Sequence, residues 1–466
     1  MDFSSALQDL KTTNPGLQIS SDPASLTEYG RDWTRYYEPK PGAIAFPKSG
    51  DDVFAIVQWA RKTKTALVPS GGRTGLSGAA VATKGELVVS FEKMNRVLDF
   101  NPYDQTVTVE PGVVTEDLQN FAKEKGLYFP VDFASRGSSQ IGGNVSTNAG
   151  GIKVIRYGLI RNWITSLKVV TGRGDRMELN KSLVKNATGY DLRQLFIGSE
   201  GTLGLVTEVT LKLAQAPRAS NLFLLGVADL DAVMKVFELF RAKCDITAFE
   251  LFTEKALRHV LAAFSDLQKP LGTDAPIYLV VESENDSESG ADRALQAFED
   301  GVEKGWILDG VQSQNEIQSK NFWRLREDIT EALSKYTPYK NDISVTVANV
   351  PKFMHEIDNV FKSAYPDLEI IWFGHIGDGN LHISILKPAG LSMGEFVTRC
   401  QKVDALLYST IQNFGGSISA EHGVGLSKKP FLSYTRDSTE IEYMKAIKKI
   451  FDPDLILNPG KIFDVS

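Results

Sequence analysis

The sequence PSGGRTGLSG at residues 69–78 is the first of three glycine-dense stretches in the N-terminal half of the chain. The second is GSSQIGGNVSTNAGG at 137–151, and the third is GSEGTLG at 198–204. A single glycine loop commonly serves only as a tight turn, but the backbone N–H groups of such loops also form anion-binding concavities. Three of these loops in one region, with few cationic side chains inside them, indicate a site for a cofactor that contains pyrophosphate.

The segments around these loops predict strands and a helix. Apolar, β-branched runs at 65–68, 87–91 and 106–109 lie between glycine and proline residues and predict buried strands. Residues 51–63 have apolar side chains at helical spacing, with Ser49 as a candidate N-cap. No G-x-G-x-x-G motif follows a strand and no G-x-x-x-x-G-K-[ST] motif occurs, so neither a Rossmann site nor a P-loop is predicted.

Similar patterns beyond residue 215 predict a second domain that mixes strands and helices. The runs at 222–227 and 277–281 indicate strands, and residues 291–303 indicate a helix. Residues 452–463 (DPDLILNPGKIF) have turn residues at both ends and are expected to dock onto another domain. The predicted segments are a first domain at 1–215, a second domain at 216–415, and a C-terminal segment at 416–466 that packs back on the first.

Composition excludes several classes of protein. The 466 residues include 51 Lys and Arg against 58 Asp and Glu, a net charge of -7, whereas a nucleic-acid binder needs a basic surface. No apolar run is long enough to span a bilayer, and the N-terminal segment lacks the apolar core of a secretory signal. The two cysteines, Cys244 and Cys400, form no C-x-x-C motif, so neither a disulfide framework nor a thiolate zinc site is expected. These features predict a cytoplasmic enzyme.

Three of the five histidines lie in two glycine-containing motifs. His375 and His382 flank the turn signal GDGN, which would fold the chain so that the two imidazoles meet. Glu421 and His422 belong to the motif EHGVG at 421–425. A lone histidine is usually a structural residue, but two histidines and a glutamate form a known catalytic zinc set with one position left open. The same ligands suit iron or manganese, so the residues alone leave the metal open.

The glycine stretches resemble the FAD-binding loops of the vanillyl-alcohol-oxidase-type flavoproteins. Residues 69–78 are similar to the first loop, 142–151 to the second, and 186–192 (NATGYDL) with 195–204 (LFIGSEGTLG) to the third. The resemblance implies an α+β fold, in which a two-subdomain FAD-binding domain is joined to an α+β substrate domain with an antiparallel sheet. The residues that it implies for FAD binding are Pro69, Ser70, Gly71, Gly72, Arg73, Thr74, Gly75, Ser77, Gly78, Gly142, Gly143, Asn144, Asn148, Gly150, Gly151, Gly201, Gly204 and Asn458.

The histidine inventory bears on how the flavin is held. Some members of this superfamily tether FAD through a histidine in the N-terminal domain. No histidine of this chain precedes His259, and neither cysteine lies in that domain. FAD is therefore expected to be bound noncovalently.

Within this superfamily the chain is similar to the D-2-hydroxyacid dehydrogenases, and most of all to the D-2-hydroxyglutarate dehydrogenases. The resemblance implies that His375, His382 and Glu421 bind a divalent metal, with zinc expected. It also implies that His422 is the catalytic base. A metal at the substrate hydroxyl would stabilise the developing alkoxide, and an imidazole would take the proton.

The resemblance further implies that Arg326, Thr330 and Lys340 bind the substrate's carboxylate, with Ser384 and His422 nearby. Residues 323–332 indicate one helix, on which Arg326 and Thr330 lie one turn apart, and Lys340 is expected at the start of a strand. Without the resemblance, this arginine-containing helix would be interpreted as a solvated surface. Ser384 stands where these relatives carry Asn, which shortens one side chain of the expected pocket.

The expected activity is oxidation of a D-2-hydroxy acid to the 2-oxo acid, with hydride transfer to flavin N5. The expected substrate is D-2-hydroxyglutarate, with D-malate as a second dicarboxylate. The alternatives are a D-lactate or glycolate dehydrogenase, a noncatalytic flavin subunit, and a non-haem iron oxygenase, although the oxygenase would leave the glycine loops unexplained. The electron acceptor stays open among a quinone, an electron-transfer flavoprotein and another redox partner, and a homodimer stays open as the assembly.

Overall fold

The computed structural model describes residues 2–34, 36–217, 219–285 and 288–465. Its internal contacts divide the chain into two compact units. Unit 1 comprises residues 1–150, 159–216 and 421–466, and unit 2 comprises residues 151–158 and 217–420. The sequence-based expectation placed the boundaries after residues 215 and 415 and did not foresee that 151–158 belongs to unit 2.

Helices occur in both units, and none in the described part of the chain is long and apolar enough to cross a membrane. The helices are α1 (Phe3–Thr13), α2 (Pro23–Tyr29), α3 (Gly50–Thr63), α4 (Thr115–Glu124), α5 (Ile141–Thr147), α6 (Val154–Tyr157), α7 (Arg193–Phe196), α8 (Leu230–Lys243), α9 (Glu254–Ala263), α10 (Glu288–Glu303), α11 (Glu316–Glu327), α12 (Ile329–Ala332), α13 (Val350–Ala364), α14 (Met393–Asn413) and α15 (Ser438–Phe451).

Unit 1 contains a mixed sheet and an antiparallel sheet. Its strands are β1 (Gln18–Ser20), β2 (Ala43–Phe46), β3 (Leu67–Ser70), β4 (Leu87–Ser90), β5 (Val97–Asn101), β6 (Thr106–Val109), β7 (Leu127–Tyr128), β8 (Ile164–Thr171), β9 (Arg176–Leu179), β10 (Gly204–Lys212) and β11 (Ala214–Gln215). The mixed sheet has the order β1-β2-β4-β3, with only β1 antiparallel to its neighbour. The antiparallel sheet has the order β5-β6-β10-β8-β9. Strands β7 and β11 form a separate pair.

The predicted helix at 51–63 is confirmed as α3, which begins one residue earlier. Its N-terminus is capped by Ser49, whose side-chain oxygen accepts the Asp52 N–H at 3.2 Å. Its apolar face, which includes Val53 and Ile56, is fully buried in the core of unit 1. Capping and apolar periodicity both act within a few residues, so the local sequence was sufficient to predict this element.

Strand β3 leads the chain directly into the first glycine loop. A short stretch of the C-terminal segment lies beside it, because Leu67 N–H donates to Ile456 O and Asn458 N–H donates to Leu67 O, both at 2.7 Å. The C-terminal segment therefore belongs to the same unit as the glycine loops.

Unit 2 is built on one antiparallel sheet, which agrees with the expected substrate domain. Its strands are β12 (Ser220–Val227), β13 (Ile246–Thr253), β14 (Ile277–Glu284), β15 (Ile307–Gln312), β16 (Tyr339–Ser344), β17 (Ile370–Gly374) and β18 (Asn380–Ile385). Their order is β15-β12-β14-β13-β17-β18-β16, and every pairing is antiparallel. On one face, Phe252 and Tyr278 of the sheet pack with Phe322 of α11 and Ile329 of α12 in a buried cluster.

The helix predicted at 323–332 is interrupted at one residue, Asp328. Helix α11 ends at Glu327, and α12 begins at Ile329 after Asp328, whose φ of -74° is helical but whose ψ of -1° differs from the usual helical value. The turn at Asp328 accompanies full burial of Ile329, whereas Thr330 is exposed. Arg326 and Thr330 therefore occupy two different helices and two different environments.

Candidate functional site

Unit 1 contains a cavity that encloses about 900 Å³, part of it open to solvent. Most of the residues expected to bind FAD line the cavity, and His422 lines it as well. These lining residues are Pro69, Ser70, Gly71, Gly72, Arg73, Thr74, Gly75, Ser77, Gly142, Gly143, Asn144, Gly201, Gly204, Asn458 and His422.

Four expected residues are not part of the lining. Gly78 N–H donates instead to the Asp32 carboxylate at 2.8 Å, and Asn148 is the left-handed C-cap of α5 with a φ of 53°. Gly150 is the last residue of the first segment of unit 1, and Gly151 is the first residue of unit 2. The glycine pattern did not separate the residues that line this cavity from those that shape the loops.

Sequence reasoning missed several polar lining residues, of which Asp32, Gln140 and Glu200 are the most informative. Asp32 receives the Gly78 N–H and the Thr34 N–H, and it thereby orders the first glycine loop. Burial raises the pKa of Asp32. Glu200 lies inside the GSEGTLG motif, but the residues predicted to bind FAD include only Gly201 and Gly204 of that motif.

Two positions in the loops show why glycine is required there. A Cβ on Gly72 would lie 2.0 Å from the backbone oxygen of Ser138 in the second glycine stretch. Gly201 has a φ of +70°, and a Cβ there would lie 2.4 Å from the Pro69 ring. At these two positions the first loop therefore packs against the second and the third loop at distances that leave no room for a side chain.

The cavity offers hydrogen-bonding atoms that the protein does not use itself. Ser70 Oγ, Ser77 Oγ, Gln140 Oε1 and Asn458 Oδ1 are buried lining atoms with no hydrogen-bond partner among the residues that the structure describes. Each unpaired buried polar group costs about 1–3 kcal/mol, so four together indicate a polar ligand. The set contains two hydroxyls that can donate and two amide oxygens that accept. FAD carries both kinds of partner, so the lining fits this cofactor.

The C-terminal segment closes one wall of the cavity. The Asn458 side-chain amide donates to Ala79 O at 3.0 Å and to Glu200 O at 2.7 Å. A buried ion pair between Lys448 and Asp452 stabilises the segment, and Lys448 also donates to Thr202 O at 2.6 Å. The segment thus connects the first glycine loop to the third.

Glu200 connects the cavity to the loop that carries His422. Its carboxylate accepts the Val424 N–H at 2.7 Å and the Gly425 N–H at 2.8 Å. A Cβ on Gly423 would lie 2.9 Å from Glu200 Oε1, so the loop can approach the carboxylate only with glycine there. Burial raises the pKa of Glu200 to about 7, although both N–H donors and Lys461 oppose the rise.

The raised pKa of Glu200 predicts a pH-dependent stability of the FAD-free protein. The folded state holds the proton more tightly than the unfolded chain, so stability that is present below about pH 4.5 is lost as the pH rises through about 7. Glu200→Gln stays neutral. The wild-type free energy of unfolding should therefore fall relative to that of the variant by up to about 3 kcal/mol between pH 4.5 and 8. Urea unfolding across this range measures the difference, and parallel curves would contradict the prediction.

In unit 2 the structure brings His375 and His382 together. Strands β17 and β18 form a hairpin around the predicted turn, and the two imidazole centroids lie 5.3 Å apart with ring planes at 83°. Asp342 of β16 is directly opposite His382 in the sheet, and its Oδ1 lies 3.6 Å from His382 Nδ1.

Glu250 of β13 contacts both a predicted metal ligand and a predicted substrate residue. His375 Nδ1 lies 2.8 Å from Glu250 Oε1, and Arg326 Nη2 lies 2.9 Å from Glu250 Oε2. Burial opposes ionisation of Glu250, but His375, Arg326 and Lys153 outweigh it and hold its pKa below the usual value. Arg326 Nε and Nη2 make no hydrogen bond within the described chain, so the contact with Glu250 is ionic rather than directional.

Lys340 and Ser384 lie on the same sheet face as His382. They are directly opposite each other on β16 and β18, two residues from the Asp342–His382 pair. Lys340 has no ion-pair partner among residues 2–34, 36–217, 219–285 and 288–465, and burial lowers its pKa. Phe373 links this region to α11, because the Arg326 guanidinium lies 5.0 Å from its ring centroid. Thr330 is exposed.

Comparison with known proteins agrees with this architecture. Residues 41–180 match the family described as "FAD binding domain", and residues 216–462 match "FAD linked oxidases, C-terminal domain". The chain is 57% identical over 458 residues to D-2-hydroxyglutarate dehydrogenase of Stutzerimonas stutzeri, which covers 98% of each chain. It is 53% identical over 455 residues to a protein of the same name from Xanthomonas citri pv. viticola, which covers 98% of this chain and 96% of the relative.

Among solved structures, 4-ethylphenol oxidase from Gulosibacter chungangensis matches with a TM-score of 0.78 at 16% identity, over 99% of this chain and 97% of the oxidase. At this identity the likeness concerns the fold alone, and it confirms the predicted vanillyl-alcohol-oxidase-type architecture. The two domain matches and the full-length relatives together show that the chain belongs to the FAD-linked D-2-hydroxyacid dehydrogenases and is an FAD-dependent dehydrogenase.

Proposed function

We propose that the protein oxidises D-2-hydroxyglutarate to 2-oxoglutarate. The observation that carries the proposal is a pair of cations on one face of the unit 2 sheet. Lys340 has no anionic partner within the described chain, and buried Arg326 leaves Nε and Nη2 without hydrogen bonds. A cation out of water needs an anion. Arg326 has one in Glu250, whereas Lys340 has none among the described residues, and a dicarboxylate brings one more than D-lactate or glycolate does. The two relatives that cover nearly the whole chain are named for this substrate.

The proposal assigns FAD to the cavity of unit 1. The glycine loops would bind its pyrophosphate through backbone N–H groups, and Ser70, Ser77, Gln140 and Asn458 would use their unpaired atoms. When bound, FAD supplies the acceptor for the hydride that leaves C2 of the substrate. His422, which lines the same cavity, would take the hydroxyl proton, because an imidazole titrates near neutral pH. A separate redox partner would take up the electrons that FAD receives from the substrate.

The proposal further assigns a divalent metal, zinc in the first instance, to His375, His382 and Glu421. The donor set fits, because Glu250 accepts from His375 Nδ1 and thereby favours the tautomer whose lone pair is on Nε2. Glu421 is the next residue after Ala420, whose N–H donates to Asp342 O opposite His382. When bound, such a metal supplies Lewis-acid stabilisation of the alkoxide that forms as the hydroxyl ionises.

Removal of the Arg326 side chain tests the substrate assignment. We expect Arg326→Ala to lower kcat/KM for D-2-hydroxyglutarate by about 10- to 100-fold, because a charge-assisted hydrogen bond contributes about 1.5–3 kcal/mol. D-lactate has no distal carboxylate, so its kcat/KM should change much less. Anaerobic flavin bleaching with both substrates and with D-malate measures the difference.

Arg324→Ala is the matched control. Arg324 lies two residues earlier on α11 and pairs with Asp266 and Asp328, so its loss should leave kcat/KM for both substrates nearly unchanged. Equal losses for D-2-hydroxyglutarate and D-lactate in Arg326→Ala would show that Arg326 does not read a distal carboxylate. The alternative of a D-lactate dehydrogenase would then be favoured.

The next prediction is that FAD is bound without a covalent link to the protein. We expect acid precipitation to release all of the FAD into the supernatant. Among the described residues, the lining of the cavity contains one histidine, His422, and no cysteine. The proposal uses His422 as a proton acceptor, which requires its imidazole to carry no flavin. Flavin fluorescence that stays with the polypeptide on a denaturing gel, and that disappears in His422→Ala, would contradict noncovalent binding.

A further inference from the structure

We propose that Glu250 is a positioning residue that prepares two groups at once: it orients His375 for the metal and it partly neutralises Arg326 until the substrate's carboxylate arrives. This inference rests on the proposed function, because it takes His375 as a metal ligand and Arg326 as a carboxylate-binding residue. Nothing in the local sequence around Glu250 indicates such a role, since AFELFT at 248–253 resembles any buried strand.

The geometry singles out Glu250 among the acidic residues of the sheet. Its side chain is 1% exposed and lies in the middle of β13, between His375 on one side and Arg326 on the other. Phe252, two residues along, is directly opposite Phe373, and Phe373 is directly opposite His382. Because residues two apart on a strand share a face, Glu250 and His382 lie on the same face of the sheet. A carboxylate in the dry interior is retained only where its charge is compensated, and here Arg326 provides the opposite charge while His375 provides a hydrogen bond.

The contact with His375 controls which ring nitrogen can bind a metal. A neutral imidazole carries one proton, and the nearby carboxylate keeps this proton on Nδ1. The lone pair then lies on Nε2, and the ring is held in one orientation. A carboxylate that receives the second ring N–H of a ligating histidine typically changes metal affinity by about 10- to 100-fold.

The contact with His375 favours metal binding, whereas the contact with Arg326 weakens anion binding. The Glu250 charge at 2.9 Å competes with any incoming carboxylate for the guanidinium. Loss of this charge should therefore strengthen the binding of a dicarboxylate while it weakens the binding of the metal. Damage to the fold would instead weaken both, so the two signs distinguish positioning from a purely structural role.

Glu250→Gln is the test, because it removes the charge but keeps the size of the side chain. For the variant we expect the dissociation constant of Zn²⁺, measured by competition with a chromogenic chelator, to rise by about 10- to 100-fold. The affinity of the metal-free protein for glutarate, measured by calorimetry, should increase several-fold. The FAD content should stay at the wild-type level, because the cavity that would hold FAD belongs to unit 1.

Glu282→Gln is the matched control. Glu282 is a partly buried carboxylate on the neighbouring strand β14, and it binds Lys153 and accepts from Thr247 at 2.5 Å and from Trp323 at 3.3 Å. No contact with His375 or Arg326 is found for it in the described chain, so Zn²⁺ and glutarate binding should match the wild type. An equal loss of metal in both variants would indicate a general effect on the sheet and would overturn the inference.

The outcomes separate this inference from the proposed function. If the wild-type protein binds Zn²⁺ and Glu250→Gln binds it equally well, the role of Glu250 is refuted while the metal site stands. If the wild-type protein binds no divalent metal, the metal assignment itself fails. If Glu250→Gln does not fold, Glu250→Asp replaces it: the shorter carboxylate keeps the charge but should not reach both partners, and metal affinity should again decrease.

Discussion

His422→Ala is expected to lower kcat by about 10²- to 10⁴-fold, the range usual for the loss of a positioned general base. The proposal makes His422 the acceptor of the substrate's hydroxyl proton, and no other histidine among the residues that the structure describes lines the cavity of unit 1. FAD should stay bound, because the unpaired lining atoms of Ser70, Ser77, Gln140 and Asn458 are unchanged. Anaerobic stopped-flow reduction of the flavin by substrate measures the chemical step directly.

Chemical rescue distinguishes a catalytic role from a structural one. The alanine variant leaves a space beside the cavity, so added imidazole should restore part of the flavin reduction rate. His355→Ala is the control, because His355 is an exposed residue of α13 and its loss should have no effect on the rate. A normal rate in His422→Ala without added imidazole would remove His422 from the proposal.

Removal of the metal is expected to lower kcat by at least about 10²-fold, since Lewis-acid stabilisation of an alkoxide contributes several kcal/mol. Dialysis against a chelator should give this loss, and added Zn²⁺, Mn²⁺ or Co²⁺ should reverse it. His382→Ala should give the same loss without reversal, because His382 is one of the two histidines that the hairpin of β17 and β18 brings together. Metal analysis by mass spectrometry checks the stoichiometry.

His259→Ala provides the control for the loss of a buried histidine in the same unit. His259 lies on α9 and contacts Glu369 at 3.2 Å. Glu369 directly precedes β17, whereas His375 directly follows it, so replacement of His259 should not change the metal content. Full activity after chelation, with less than about one-tenth of a metal ion per chain, would exclude metal dependence. The FAD and substrate assignments would still stand in that case.

The features that the sequence predicted well depend on short-range physics. Ser49 and the apolar spacing of 51–63 predicted α3, and the turn residues between His375 and His382 predicted the hairpin that joins β17 to β18. The glycines of 69–78 predicted a loop that approaches other backbone closely, as Gly72 does. In each case the residues that determine the structure lie within about fifteen positions of one another, so the pattern is visible without the fold.

The interruption of the helix predicted at 323–332 depends instead on contacts between residues far apart in the sequence. The residues at 323–332 all suit a helix, and the interruption at Asp328 accompanies the burial of Ile329 against the sheet of unit 2. Propensity is a weak preference that tertiary packing readily overrides. The separation of Arg326 from Thr330 could therefore not be deduced from their spacing.

The sequence by itself determined the glycine loops, the family, and the histidines and cations that the proposed chemistry uses. Only the tertiary structure revealed the carboxylates that organise them. Glu200 meets the His422 loop 224 residues later in the chain, and Glu250 meets His375 125 residues later. A single acidic residue in a buried strand or loop carries no local pattern, and its role comes from which N–H groups and cations the fold brings within hydrogen-bond distance. The strand pairing of unit 2 and the packing of the loops in unit 1 decide those partners, and both arise from contacts between residues far apart in sequence.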